Sequence, residues 1–346
     1  MNTTTIGFDI AKTVFQVHGM DERGRPTVRR QIRRADLMKF FANLPPCLIG
    51  MEACASAHFW ARKLSSLGHT VKLIAPQFVK PYVKTNKNDA RDAEAICEAV
   101  SRPSMRFVLA KTVEQQALIA LHRVRQGFVQ ARTGQANQLR GLLAEFGIVL
   151  PKGMSHLHGR TPGILEDAEN GLPGVARELF ARLFVNLREL GAHITELERQ
   201  IRAAHRDDDA SQRLEAIPGI GPLSASALVA SIGDAKAFKN GRQLAAWMGL
   251  VPRQNSSGGT TRLLGISKRG DTYLRTLLIH GARSVLRQRR CAVKSSEDRL
   301  VRLAERRHPN VAAVALANKN ARIVWALLAH DRQYKPDFHR ASLAVA

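Results

Sequence analysis

Apolar residues alternate with polar ones in short runs over the first hundred residues and then recur at helical spacing. Runs rich in Ile, Val, Phe and Thr at 5–8 and 13–18 predict two strands, and 26–32 a third whose arginines place it at an exposed edge. The continuous apolar run CLIGM at 47–51 and the run at 70–74 predict buried strands. Helices are expected at 57–67, where Gly68 ends the pattern, after Pro76, and at 89–100. A strand hairpin followed by strands alternating with helices predicts a mixed α/β sheet with helices on its faces, over residues 1–110.

Residues 111–207 read differently. Ala117, Leu121, Val124, Phe128 and Ala131 follow a heptad-like period, and Leu183, Leu187, Leu190, Ile194, Leu197 and Ile201 follow it more cleanly. The glycine-bearing segment 151–173 is expected to be the loop between two long helices. The pattern fits an antiparallel helical hairpin, a dimerising coiled coil or two ordinary bundle helices. After a charged break at 206–210, a mainly helical region is expected over 208–330, then a loose tail over 331–346.

Charge narrows the function. The 346 residues carry 53 Lys plus Arg against 29 Asp plus Glu, a net charge of +24. Arginine outnumbers lysine 38 to 15, which favours fork-like contacts with phosphate. Nucleic acid is therefore the expected partner, ahead of an anionic membrane. The longest uncharged run, 216–233, is broken by Gly219, Gly221, Gly233, Pro218 and Pro222, so no bilayer span and no membrane partner are expected. Cys47, Cys54, Cys97 and Cys291 are scattered without CxxC spacing, which fits free thiols in a cytoplasmic protein. His156 and His158 are a close pair, but they lack the cysteine partners of a zinc site.

Four acidic residues stand out against this basic background. Asp9 ends the first expected strand, Glu52 follows the CLIGM strand, and Asp89 and Asp92 fall at i and i+3 on one helix face. Carboxylates drawn to one point repel unless a cation lies between them. Two Mg²⁺ ions about 3.5–4 Å apart would neutralise them and clamp the oxygens of a phosphodiester. The bland alternative makes Asp89 a helix N-cap and Asp92 a favourable first-turn acid. A sugar-kinase-like ATPase core is disfavoured, because Ala11 stands where backbone would meet phosphate.

The region beyond 208 carries two further motifs. IPGIGPLSA at 217–225 resembles a helix-hairpin-helix, with Gly219 and Gly221 allowing a tight turn whose N–H groups can approach a DNA phosphate; a compact turn between packed helices is the alternative. GLVPRQNSSGG at 249–259 places Ser256 and Ser257 in a glycine-rich loop flanked by Arg253, Arg262, Lys268 and Arg269. Taken alone, such a loop is often only a connector. Residues 253–307 nevertheless hold 14 Lys or Arg against 4 Asp or Glu. Arg283, Arg287 and Arg290 fall on one helix stripe, which repels itself unless phosphate is present.

Together and in this order, GFDIAKTVF, GMEACASAHFW, KTNKNDARDAEAI, IPGIGPLSA, GLVPRQNSSGG and GISKRGDTYLRTLLIHGAR resemble the DEDD-type insertion-sequence transposases, relatives of the pilin-gene inverting recombinases. The resemblance spans roughly residues 4–330. It implies an RNase H-like (RuvC-type) N-terminal domain, a helical coiled-coil middle and a C-terminal serine transposase domain. It assigns Asp9, Glu52, Asp89 and Asp92 to metal and a nucleophilic serine to the loop, Ser257 with Ser256 as the alternative. It further implies homodimers or homotetramers with composite active sites. It also implies a noncoding guide RNA from the element that pairs with donor and target DNA. A basic chain with 5% aromatics fits that division of labour: it holds backbone, leaves base reading to pairing, and lacks RRM-type stacking platforms.

The expected activity is RNA-guided cutting and rejoining of DNA through a covalent phosphoserine. Two rivals remain at this level: a Holliday-junction resolvase-like nuclease that uses water, and a noncatalytic nucleic-acid-binding protein.

Overall fold

The computed structural model describes residues 3–83, 88–292 and 299–336, with side chains left aside at 289–292 and 299–301. The chain forms two compact units, Met1–Glu114 and Gln115–Ala346.

The first unit contains, in order, β1 (Thr5–Asp9), β2 (Val14–Met20), β3 (Pro26–Arg33), α1 (Leu37–Ala42), β4 (Leu48–Glu52), α2 (Ala57–Ser65), β5 (Thr70–Ile74), α3 (Pro76–Val79), α4 (Asp89–Val100) and β6 (Phe107–Val108). The sheet order is β3-β2-β1-β4-β5-β6. β1 and β2 form an antiparallel hairpin, β1–β4 and β4–β5 are parallel, and β6 returns antiparallel. The five expected strands are all present, and the arginine-rich third one is the sheet edge. α1 and the two-residue β6 carry too little periodicity to be read in advance.

One face of the sheet is closed by Phe8, Phe15, Phe41, Trp60 and Leu64. Across the other lies α4, against a strip where side chains are missing. A Cβ on Gly7 would lie 2.0 Å from the Ala93 carbonyl oxygen, and one on Gly50 would lie 2.7 Å from Val100 Cβ. Gly7 and Gly50 are register partners on β1 and β4, so the two glycines together form the seat of the helix. Gly7→Ala should therefore lift α4 and destabilise this unit by about 3 kcal/mol. Denaturant unfolding checks this; an unchanged midpoint would mean that the helix is not seated there.

The second unit is helical: α5 (Val113–Glu145), α6 (Met154–Glu166), α7 (Gly174–Arg206), α8 (Asp209–Glu215), α9 (Pro222–Ile232), α10 (Gly241–Trp247), α11 (Thr272–Ala292), α12 (Arg299–Arg306) and α13 (Pro309–Ala329). A two-stranded hairpin, β7 (Pro252–Gln254) with β8 (Leu263–Ile266), interrupts it. α5 and α7 run antiparallel: Arg125 pairs with Glu198, Phe128 stacks on His193, and Gln135 donates to the Leu183 carbonyl. The second apolar seam behaves as expected, with Leu187, Ile194 and Ile201 buried.

The first seam does not. Ala117, Val124 and Ala131 are exposed, and α5 instead buries His122, Ala136, Leu139 and Leu143. Its contacts with α7 are substantially polar, so a hydrophobic period could not locate them. The segment 151–173 is also not simply a loop, because it contains α6. Leu157 and Thr161 are buried there, and Met154, Ile164 and Leu165 pack beside Leu139, Leu143 and Phe184. Its apolar period was masked by glycines and by Pro162, which the helix accommodates in its interior.

α13 is long and apolar enough to cross a membrane by composition. Here it runs through the core of the unit, burying Ala312, Ala313, Leu316, Ala317, Ala321, Val324 and Leu327 against α10 and α11. Just beyond it, Asp331 is held by Arg213 at 2.9 Å, so the expected tail begins with an anchored residue.

Where α5, α9 and α11 meet, His122 is almost fully buried. Tyr273 Oη lies 3.0 Å from its Nδ1, and Ser226 Oγ lies 3.1 Å from its Nε2. Ser226 in turn donates to the Pro222 carbonyl, so the network fits a neutral ring protonated on Nε2. Burial, reinforced by nearby Arg125, pushes the His122 pKa down to about 4. A depressed histidine pKa stabilises the fold above the unfolded value near 6.5, and that contribution is lost as pH falls toward 4. The wild-type stability advantage over His122→Asn should shrink by about 3 kcal/mol across that window. Urea unfolding at several pH values measures it; a pH-independent gap would contradict the assignment.

Candidate active site

Three separate elements bring carboxylates to one end of the first unit's sheet. Asp9 is the last residue of β1, and Glu52 the last of the adjacent parallel β4. Asp89 and Asp92 occupy the first turn of α4. Because α4 is seated on Gly7 through Ala93 and Cys97, its N-terminal turn is carried toward the β1 terminus. The cap of α4 is Asn88, whose side chain accepts the Ala90 N–H at 3.0 Å. Asp89 is therefore not needed as a cap. Two carboxylates in a helix first turn are also favourably placed against the helix dipole.

Asp9, Asp89 and Asp92 each offer an oxygen within 4.8 Å of the others. The Asp9 pKa is pushed up to about 6, first by burial and then by the charges of Asp92, Asp89 and Glu52. Glu52 thus belongs to the same electrostatic site, although it lies outside the tight triple. Cys54, two residues on, is also pushed up by burial and by Glu52 and Asp9, which keeps it a neutral thiol. Gathered carboxylates, Asp9 and Asp92 half-buried and Asp89 exposed, form a donor set suited to a hard divalent cation.

The serine hairpin belongs to the second unit. Ser257 and Thr260 bracket a turn in which Gly258 and Gly259 have φ of +55° and +77°, and the Thr260 N–H donates to the Ser257 carbonyl at 3.0 Å. Both central residues need positive φ, which is why glycine occupies them. The two serines differ. Ser256 Oγ accepts from Gln254 Nε2 at 2.9 Å and from the Arg262 N–H at 3.3 Å, so it braces the hairpin. The Ser257 side chain is exposed and makes no hydrogen bond among the described residues.

Arg253, Arg262, Lys268 and Arg269 are exposed around this hairpin, and Arg283 and Arg287 are exposed on α11. Arg283 is held by Asn310 at 2.9 Å. The Arg290 side chain lies outside the described residues. The glycines of the IPGIGP turn divide. Gly219, at φ +88°, is pressed against α11, where a Cβ would lie 2.8 Å from the Gly281 carbonyl oxygen. Gly221 has open space around it.

Several features of the site were missed by sequence reasoning: the Gly7–Gly50 seat, the Asn88 cap and the bracing role of Ser256. The first had a signal, since a glycine at the same depth in two neighbouring parallel strands marks close approach by another backbone.

Residues 6–148 match the DEDD-type transposase family of IS110 elements, and residues 211–296 match the family described as "Transposase IS116/IS110/IS902 family". A probable family 20 transposase of Pseudomonas aeruginosa is 56% identical, over 97% of this chain and 100% of its own length. The transposase for insertion sequence element IS1328 of Yersinia enterocolitica is 47% identical, over 94% of this chain and 97% of its own. The transposase for insertion sequence element IS1111A of Coxiella burnetii is 46% identical, over 95% and 91%. An α/β unit with gathered carboxylates, joined to a helical unit rich in arginine, is in this light a DNA transposase, an enzyme whose substrate is DNA. The chain belongs to the IS110/IS116/IS902 family of insertion-sequence transposases. Membership brings an expected dependence on divalent metal, which suits the acidic cluster.

Proposed function

We propose that this transposase is an RNA-guided recombinase that cuts and rejoins DNA through a covalent phosphoserine. The observation that carries the reading is the convergence of Asp9, Asp89 and Asp92 within 4.8 Å, with Glu52 raising the charge further. On this reading the first unit is an RNase H-like domain of the RuvC type. Asp9, Glu52, Asp89 and Asp92 would hold two Mg²⁺ ions. Bound there, the ions supply neutralising charge and polarise the scissile phosphate.

Ser257 is the nucleophile. Its Oγ forms an ester bond to phosphorus while a P–O bond of the strand breaks. The serine proton is released, and the departing oxygen takes up a proton to become a hydroxyl. The phosphoserine conserves the bond for rejoining. Arg253, Arg262, Lys268 and Arg269 hold the phosphates beside the hairpin, and Arg283, Arg287 and Arg290 extend that track. Gly221 leaves open space for an approaching phosphate at the IPGIGP turn, alongside Gly219. Residues 111–207 form the arm through which copies associate as dimers or tetramers, and the exposed Ala117, Val124 and Ala131 stripe is the contact it offers. Residues 208–330 form the serine domain, which meets the acidic domain of another copy. Assembly takes place in the cytoplasm with a structured RNA transcribed from the element.

The test combines purified protein, the transcript of the flanking element DNA, Mg²⁺ and end-labelled donor and target DNA. Recombined product that shifts to a new target when the complementary RNA segment is rewritten supports the reading. Product formed equally well without RNA defeats the guidance. Cleavage without any protein adduct makes the protein a water-using nuclease instead.

A further inference from the structure

A groove of about 370 Å³ lies between α10 and α13 in the second unit. It is lined by Asn240, Gly241, Arg242, Arg322, Trp325 and Ala326. Nothing in the proposed chemistry uses it. Its volume is within the roughly 300–1,000 Å³ range of sites that hold small ligands.

Three features define what it would accept. Its apolar lining comes from Trp325 and Ala326, and the indole is fixed: Nε1–H donates to both the Ala235 carbonyl at 3.1 Å and the Phe238 carbonyl at 3.0 Å. Its rim carries Arg242 and Arg322, both exposed and neither bonded to an acid among the described residues. The helices touch here, since a Cβ on Gly241 would lie 2.9 Å from Arg322 Cα. Arg242 follows Gly241 directly, so the two arginines leave the backbone close together where the helices touch. Asn240 spends its carbonyl oxygen on capping α10, accepting the Gln243 N–H at 3.0 Å. Its amide N–H groups make no bond among the described residues.

A fixed aromatic lining the same groove as two arginines, neither paired with an acid among the described residues, matches a planar, uncharged ring flanked by anions. We infer that this groove binds one unpaired nucleotide of the DNA substrate, its base stacked on Trp325 and its flanking phosphates held by Arg242 and Arg322. Family membership alone establishes DNA as the substrate, so the inference does not depend on RNA guidance or on Ser257. A transposase must open duplex to exchange strands, and an unstacked base costs least where a fixed ring replaces its lost neighbour. Two arginines and one ring also fit a chain poor in aromatics, because a single slot is needed and not a sheet of stacking residues.

The experiment uses the full-length protein and a single-stranded oligodeoxynucleotide carrying 5-iododeoxyuridine. Irradiation and peptide mapping should place the crosslink on Trp325. In titrations against salt, the double variant Arg242→Gln/Arg322→Gln should bind single strands about tenfold more weakly at moderate salt. Its log–log salt slope should fall by about 1.4, the value for two phosphate contacts on a single strand. Its affinity for duplex of the same sequence should be unchanged. Trp325→Phe keeps a ring in the slot and should retain most of the binding, whereas Trp325→Leu should lose about tenfold with the slope unchanged. Circular dichroism melts identify any variant that fails to fold, and for such a variant the wild-type crosslink map decides. Three results overturn the inference: no crosslink at Trp325, equal losses on single-stranded and duplex DNA, or a site that takes an RNA oligomer of the same sequence and not the DNA.

Discussion

Asp89→Asn and Asp92→Asn should each lower metal-dependent DNA cleavage by about 10²–10³-fold while leaving nucleic-acid binding in place. Each removes one charged oxygen from a site in which three carboxylates already lie within 4.8 Å. Asp9→Asn should be as damaging to cleavage and opposite in its effect on stability. Asp9 titrates near 6 in the folded metal-free protein because burial and three acidic neighbours oppose its charge. Its folded pKa lies above its unfolded value of 3.8, so its contribution to stability is full below that value and is lost as pH rises through 6. Metal-free wild type should therefore carry a penalty at pH 7.5 that the variant lacks. After allowance for solvent screening of this partly exposed group, that penalty is about 1–2 kcal/mol. Mg²⁺ should raise the melting temperature of the wild type more at pH 7.5 than at pH 5, because the proton on Asp9 competes with the ion. Calorimetry of both proteins at the two pH values checks this. A destabilised Asp9→Asn protein, or an Mg²⁺ effect that does not grow with pH, would count against the cluster as a cation site.

Ser257→Ala should abolish the covalent protein–DNA adduct and lower recombination by at least about 10³-fold, because the proposed link forms on the Ser257 hydroxyl, which no hydrogen bond among the described residues engages. Ser256→Ala should behave differently. Its hydroxyl is already engaged by Gln254 and the Arg262 amide, so its loss loosens the hairpin and costs activity in part. The split between neighbours is the informative result. Adduct surviving in Ser257→Ala but absent in Ser256→Ala would exchange their roles, and adduct surviving in both would remove the serine chemistry altogether.

Much of the first unit could be read in advance because its strands are short, apolar and punctuated by turn residues. The acidic set was legible for the same reason: Asp9 and Glu52 end strands, and strand ends are where side chains leave the sheet. Sequence alone could not say that α4 would run back toward β1. That follows from Gly7 and Gly50 lying side by side, a fact of register between strands over forty residues apart. Asp89 is the only cap weighed from sequence, whereas Asn88 caps α4; residue type does not separate the two, since Asn and Asp cap helices equally well. In the second unit, α7 is legible in the sequence because its buried stripe is apolar. α5 is present as a helix where the spacing places one, but its buried face is not the expected seam, because Arg125, Gln135 and His122 supply polar contacts there. α6 was hidden behind glycines and Pro162, whose local preferences are overridden by the burial of Leu157 beside Leu139 and Phe184. The bracing of Ser256 depends on how the hairpin closes, which periodicity does not report.

On the proposed mechanism, an alcohol on the hairpin tip becomes esterified to DNA under the control of the acidic cluster. The most direct measurement is mass spectrometry of the protease-digested reaction of wild-type protein with donor DNA, stopped during turnover in Mg²⁺. A nucleotide attached through phosphate to Ser257, and absent when Asp92 is replaced by Asn, is the predicted result. Cleaved DNA accumulating with no modified serine peptide would rule out the serine ester.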